Sequence, residues 1–284
     1  MPHYHDDASD GVIRRAAKNQ PGRSWRTWFL GRPLSTADAP HQTIGKAVGL
    51  AVFASDALSS TAYATQEILV ILAAAGAAAM GFSWPIAIAI GALLAIVTIS
   101  YEQTIHAYPS GGGAYIVARD NLGELPALTA GAALLTDYIL TVAVSISSGV
   151  AQLVSAFPHL DPWRVHVAVV MVGLIMVMNL RGVKESGRAF AVPTYFFVAL
   201  MATTVIWGLV QQVQGGLGQV VDPPELYFHG EATTVGLFLL LHAFASGTTA
   251  LTGVEAISNG ITAFKEPRSR NAAVTLIWMS FILG

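Results

Sequence analysis

The sequence predicts an all-α, polytopic membrane protein, and two observations lead to that prediction. Of its 284 residues, 54% are hydrophobic and only 11% are charged, whereas about 25% of the residues in a soluble domain are charged. The mean hydropathy is correspondingly high, at +0.56. The apolar residues also gather in long runs of the length that crosses a bilayer. Composition and patterning therefore both favour transmembrane helices over a soluble fold.

The apolar runs begin after a polar N-terminal segment, residues 1–43. They lie at 44–75, 83–106, 126–155, 165–181, 189–213 and 233–262, and a seventh starts near 272. Because a span needs about 20 apolar residues, the seventh run is too short to cross before Gly284. We expect a cytoplasmic segment at 1–43 and a transmembrane domain at 44–284 with about six full spans and the start of a seventh. The chain is then expected to be a fragment of a longer protein.

The distribution of positive charge predicts the orientation of these spans. If the N-terminus is cytoplasmic, the inner segments hold all but one of the 15 lysines and arginines, and the exception is Arg164. Cytoplasmic loops of membrane proteins are enriched in these two residue types. The sequence therefore predicts a multi-pass protein of the cell membrane with a cytoplasmic N-terminus.

Several functional classes lack support in the sequence. The chain contains no cysteine, which excludes disulfides, thiol catalysis and cysteine metal sites within it. The run GGG at 111–113 is not followed by the Lys-Ser/Thr pair of a phosphate-binding loop. The histidines are dispersed without metal-ligand spacing, and no catalytic constellation is visible. We expect no enzyme activity, no cofactor and no nucleic-acid partner.

Carboxylates inside predicted spans point towards function. Asp56, Glu67, Asp137 and Glu255 all fall within apolar runs. An acid at the centre of a span costs about 2.5–3.5 kcal/mol, so such residues are rare and usually functional. Glu67 lies late in its run and is equally consistent with the membrane interface. The other three acids are candidate site residues.

The neighbours of these acids suggest interrupted helices. Span six contains ASGTTALTGVEAISNG at 245–260, dense in glycine and hydroxyl residues, and span one carries SDALSS at a corresponding depth. Glycines weaken a helix, and hydroxyls can satisfy the freed backbone groups. We therefore predict that spans one and six are both interrupted. That arrangement is typical of transporters built from inverted repeats, in which broken helices hold the substrate near the midplane.

The residue types around these positions favour a small cation as substrate. Thr141 shares a helix face with Asp137, and Thr252 shares one with Glu255. Carboxylate, hydroxyl and carbonyl oxygens are hard ligands, and a bare potassium ion needs several of them. The expected potassium ligands are Asp56, Tyr63, Asp137, Thr252 and Glu255. Three acids around one monovalent ion leave excess negative charge, so one of them is expected to hold a proton.

Four segments resemble a known family: VFASDALSSTAYATQEIL, TDYILT, ALTGVEAISNG and FKEPRSRNAA. They are similar to the amino acid–polyamine–organocation (APC) superfamily and, within it, to the Kim-type potassium importers. The resemblance implies a LeuT-like inverted-repeat bundle, here incomplete, that imports potassium together with protons. It places ion-binding residues at Asp56, Tyr63, Asp137, Thr252 and Glu255, with Thr141 close by. It also implies, for a longer protein, a cytoplasmic domain that forms a homodimer and senses a cyclic dinucleotide.

Two other functions remain open at this point. An amino acid permease of the same superfamily would usually place a glycine-rich break in span one, where FASDALSS has no glycine and sets an anion. An amino acid carboxylate would be repelled by Asp56, but a polyamine or other cationic amine would not. The other alternative is a membrane scaffold without transport activity, which does not account for the acids paired with hydroxyls.

Overall fold

The computed structural model describes residues 42–216, 218 and 235–284, together with Trp25 and Gly31. Most of the predicted cytoplasmic segment 1–43 and most of the outer loop after residue 216 lie outside the described residues. Within the described residues the fold is helical, and the sole β-type pairing is an isolated bridge between Ile44 and Phe264. The predicted all-α class is thereby confirmed.

Nine α-helices and four 3₁₀ turns make up the described part of the chain. The α-helices are α1 (Lys46–Ala73), α2 (Ser83–Ala107), α3 (Gly113–Leu122), α4 (Glu124–Ala156), α5 (Arg164–Leu180), α6 (Val183–Val213), α7 (Leu237–Gly247), α8 (Ala256–Asn259) and α9 (Arg268–Leu283). The 3₁₀ turns are Ala77–Phe82, Pro158–Trp163, Thr248–Leu251 and Ile261–Ala263.

Four helical stretches of the described residues are long and apolar enough to cross a membrane. They are Ala79–Ala107, Glu124–Ala156, Pro158–Leu180 and Val183–Val213. Large apolar side chains on them point outwards, such as Phe196, which is 65% exposed, and such surfaces suit lipid better than water. The chain is therefore a multi-pass membrane protein. The sequence predicts about six spans, which include α1 and span six in addition to these four stretches. That count stays a prediction.

α1 is the central helix of the bundle. It packs against α6, α7 and α9, and its alanines 51, 54 and 57 are completely buried. Gly187 of α6 sits so close to α1 that an added Cβ would lie 2.7 Å from the Val52 side chain. Small residues let helix backbones approach closely, which is the usual basis of packing between spans. The side chains of α1 are thus placed among several neighbouring helices.

The prediction that span one is interrupted is wrong, because α1 runs unbroken over its 28 residues. Its polar residues lie in a stretch, 50–73, without glycine or proline. Their hydroxyls also bond to carbonyls of their own helix: Ser55 donates to Val52 O at 2.9 Å, and Ser59 to Asp56 O at 2.6 Å. Such hydroxyls add a bond to an intact helical ladder and free no backbone group.

Span six, in contrast, is interrupted as predicted. α7 ends at Gly247 and tightens into the turn Thr248–Leu251, after which Thr252 is extended, with φ −62° and ψ 141°. Gly253 follows in the left-handed region, with φ +84°, a conformation that glycine adopts without steric cost. The helix resumes only at Ala256. Residues 252–255 form the break between the two helical parts of span six.

On the predicted orientation, two backbone hydrogen bonds join the cytoplasmic ends of spans one and six. Ile44 N donates to Ala263 O at 2.8 Å, and Lys265 N donates to Ile44 O at 3.0 Å. Phe264 is fully buried between these bonds and stacks on Phe53, with ring centroids 5.4 Å apart. We call this contact of residues 44, 53 and 263–265 the inner clasp.

Candidate ion-binding site

The break in span six lies directly against the middle of α1. An added Cβ on Gly253 would stand 2.9 Å from Asp56 Oδ2 and 3.0 Å from Ala57 N. Both the left-handed backbone and this close approach require glycine at the position. The two features place an unwound backbone beside a carboxylate inside the bundle.

Three of the predicted acids lie near this place. Asp56 comes from α1, Asp137 from α4 and Glu255 from the break, and the three carboxylates lie within mutual electrostatic range. Asp56 and Asp137 are half-buried, whereas Glu255 is only 9% exposed. The ion pairs found in the described part of the chain involve other residues. Since no lysine or arginine there neutralises the three acids, the region attracts positive charge.

Glu255 is the most deeply placed of the three. Its Oε1 is buried and has no hydrogen-bond partner among the described residues. A buried carboxylate oxygen without a partner is unfavourable, and native structures usually satisfy such an atom with an ion, a proton or water. The atom is therefore a natural point for a ligand to bind.

Hydroxyl groups connect α1 to the break. Ser60 Oγ lies 2.5 Å from Thr252 Oγ1 and 3.2 Å from the Tyr63 hydroxyl. Thr252 in turn donates to Thr249 O at 2.9 Å. Ser60 is fully buried, and this chain of neutral oxygens runs beside the acids. Ser60 was not among the predicted site residues, although its place in SDALSS, four residues after Asp56, was a usable signal.

α4 lines the site on the side facing α1. Asp137, Thr141 and Ser145 succeed one another at intervals of four residues and so share one helix face. Thr141 is buried, and Ser145 Oγ lies 3.0 Å from Ser59 Oγ of α1. These contacts hold α4 against α1 at the level of the acids.

Two further polar residues, Tyr138 and Asn259, lie at the inner side of the break, and neither was among the predicted site residues. Asn259 Nδ2 donates to the Tyr138 hydroxyl at 2.5 Å, while Asn259 Oδ1 is buried without a partner among the described residues. The glycine run 111–113 packs against Asn259, and Gly112 N donates to Asn259 O at 3.4 Å. The signals available were the adjacency of Tyr138 to Asp137 and the SNG sequence that ends span six.

The structure thus brings the predicted residues Asp56, Tyr63, Thr252 and Glu255 together around the break, with Asp137 and Thr141 facing them. Glu67 lies apart from them and is exposed. Among the described residues, no three acidic or histidine side chains are close enough to form a metal centre by themselves. A cation held here would therefore need hydroxyl and backbone oxygens as well, which is typical of sites for weakly bound monovalent ions.

An unwound span facing an acid-bearing helix is the architecture of membrane transporters built from broken helices. Comparison with known proteins agrees with that class. The sequence profile of the family described as amino acid permease matches residues 44–284. The potassium transporter KimA of Bacillus subtilis (strain 168) is 48% identical over 261 residues, which cover 92% of this chain and 43% of that protein.

More distant relatives are named for the transport of cationic amino acids or of potassium. Cationic amino acid transporter 6 of Arabidopsis thaliana is 26% identical over 76% of this chain and 36% of its own length. The low affinity potassium transport system protein Kup of Pectobacterium atrosepticum is 27% identical over 52% of this chain and 23% of its own length. The chain spans less than half the length of these curated relatives.

The chain belongs to the amino acid permease family of the APC superfamily, as a member of the KimA type. The resemblance stated from the sequence segments is thereby confirmed.

Proposed function

We propose that the protein containing this chain imports potassium, together with protons, across the cell membrane by alternating access. The observation that carries the proposal is the group of three un-neutralised acids around a glycine break lined with hydroxyls. The similarity to a potassium transporter over 92% of the chain supports the same substrate. The charge bias of the loops supports a cytoplasmic N-terminus.

The site residues divide into three roles under this proposal, and the first two concern the cation. Asp56 and Asp137 attract the cation, and Tyr63, Thr141 and Thr252 offer neutral oxygens that replace part of its water shell. Ser60 joins this set through its contact with Thr252.

Glu255 is assigned the proton. Its Oε1 is buried and has no hydrogen-bond partner among the described residues. The atom can bind either a proton or a cation, and leaving it charged without either is energetically unfavourable. With a proton bound there, Asp56 and Asp137 still supply negative charge for the cation, so that one proton and one cation can occupy the site together. Co-transport requires that the site changes its access only when both are bound, and any effect of the proton on cation affinity is matched by an equal effect of the cation on proton affinity.

The partners of the proposed transporter are the lipid bilayer and a small cation. No cofactor and no nucleic acid take part in the mechanism. A homodimer is proposed only for a longer protein, through a domain outside these residues.

A cationic amine or polyamine remains the second candidate substrate. The same three acids would attract an ammonium group, and the relatives include a cationic amino acid transporter. Asp56 lies against the unwound backbone at Gly253, where it disfavours the carboxylate of an amino acid. Competition separates the two candidates: an excess of putrescine or lysine abolishes rubidium uptake only if amines share the site.

The test is potassium-dependent growth of a bacterial strain that lacks its own potassium importers and expresses the full-length gene. Asp56→Asn and Glu255→Gln remove one charge each without a large change in volume, and we expect neither to support growth at limiting potassium. Glu124→Gln is the matched control, because Glu124 lies at the exposed start of α4. Growth of both site variants like the wild type would refute the assignment.

A further inference from the structure

A cavity of about 440 Å³ with a partly polar lining lies between the outer halves of α1 and α4. The polar residues that line it are Tyr63, Gln66, Glu67, Ser147, Ser148 and Gln152. Both helices run outwards at this level on the predicted orientation, so the cavity lies on the extracellular side of the acids. A space of this size accommodates a cation with its first shell of water, since liquid water occupies about 30 Å³ per molecule.

Glu67 gives the cavity its charge. It is exposed, and it is the one charged residue among those that line the space in the described part of the chain. The glutamines and serines add neutral oxygens around it. A single carboxylate in a concave, partly apolar wall concentrates cations, because such clefts focus the electrostatic field.

Tyr63 connects the cavity with the ion-binding site. It is one helical turn before Glu67 and lines the cavity, while its hydroxyl lies 3.2 Å from Ser60 Oγ. Ser60 in turn touches Thr252 at the break. Tyr63 is only 8% exposed, so it separates the open cavity from the buried acids. An ion in the cavity is thus one side chain away from the site.

We propose that this cavity is an outer waiting site for a hydrated monovalent cation, with Glu67 supplying the attraction. The inference rests on the proposed cation transport. The waiting site raises the local cation concentration before the ion passes Tyr63 and loses water. It coordinates the ion loosely, through water, and does not take part in proton coupling.

Rubidium uptake by cells that express the full-length gene tests the proposal. Glu67→Gln is expected to raise KM for rubidium about three- to tenfold, the effect of removing one charge a few ångströms from the ion in a partly aqueous space. Vmax should stay within about twofold, because transport itself occurs at the buried acids. Glu67→Asp, which keeps the charge, should retain a KM near that of the wild type. Glu124→Gln removes a carboxylate from the cytoplasmic start of α4 and should leave KM unchanged.

The dependence of KM on ionic strength provides a second measurement. Screening by an impermeant organic salt should raise the wild-type KM and leave that of Glu67→Gln unaffected. An unchanged KM in Glu67→Gln, an equal change in Glu67→Asp, or a wild-type KM insensitive to ionic strength would overturn the waiting site. Loss of all uptake in Glu67→Gln, with the protein present in the membrane, would overturn it too and move Glu67 into the transport site. The proposed function fails separately, if the wild type takes up no rubidium.

Discussion

Gly253 packs its bare Cα against the carboxyl group of Asp56, so that an added Cβ would stand 2.9 Å from Asp56 Oδ2. The same residue holds the left-handed backbone, φ +84°, that turns the chain at the break. One glycine therefore fixes both the shape of span six and the distance between the break and α1.

We predict that Gly253→Ala abolishes uptake and lowers the stability of the detergent-solubilised protein. The left-handed backbone costs a residue with a Cβ about 1–2 kcal/mol, and the close contact also forces α1 and the break apart. Rubidium uptake and a thermal unfolding assay measure the two effects. Gly173→Ala is the control, because Gly173 lies within α5 with no atom near its missing Cβ. Wild-type uptake by Gly253→Ala would mean that the break does not shape the site.

The second prediction concerns the hydroxyl contact between Ser60 and Thr252. Ser60→Ala should raise KM for the cation about three- to tenfold, because the half-buried Thr252 hydroxyl loses a partner and the cation loses a neutral oxygen nearby. Thr252→Val should have a similar effect. The double variant should cost less than the sum of the two, since residues in contact are not independent.

Thr61→Ala is the control for Ser60→Ala. Thr61 is the next residue along, and its hydroxyl donates to Leu58 O of its own helix at 2.8 Å. Its loss should leave KM unchanged. Additive effects of Ser60→Ala and Thr252→Val would show that the two hydroxyls act separately.

The sequence was sufficient to predict the helical class, the apolar spans and the break in span six. Each of these depends on local composition: long apolar runs, or glycines at 247, 253 and 260 within one span. The failure at span one has a local cause too. Serine density alone does not break a helix when the hydroxyls bond to carbonyls of the preceding turn, as Ser55 and Ser59 do.

The contacts that complete the site could not be predicted from spacing. Ser60 meets Thr252 across 192 residues, and Asn259 meets Tyr138 across 121. Such pairs depend on how α1, α4 and the break pack together, which hydrophobic periodicity does not encode. The acids were easier to identify because their cost in a span makes them conspicuous at any position.

The third prediction separates the proposed roles of Asp56 and Glu255. In proteoliposomes, Glu255→Gln should lose net uptake driven by an inward proton gradient but retain exchange of rubidium for potassium, since exchange needs no change of protonation. Asp56→Asn should lose both, because it removes charge that attracts the cation. Isotope flux with and without the gradient measures each activity. Net uptake by Glu255→Gln that still follows the gradient would exclude Glu255 as the proton carrier.

The inner clasp gives the fourth prediction. Phe264 is fully buried, stacks on Phe53 and lies between the two hydrogen bonds that join Ile44 to span six. Truncating a buried phenylalanine to alanine costs about 3–5 kcal/mol, so Phe264→Ala should open the cytoplasmic side. A cysteine at the buried Ala54 should then react about tenfold faster with a thiol reagent applied from that side. These 284 residues contain no cysteine of their own. Phe281→Ala, which alters an exposed ring on α9, should leave labelling unchanged. Equal labelling rates in Phe264→Ala and the parent would show that the clasp does not control access.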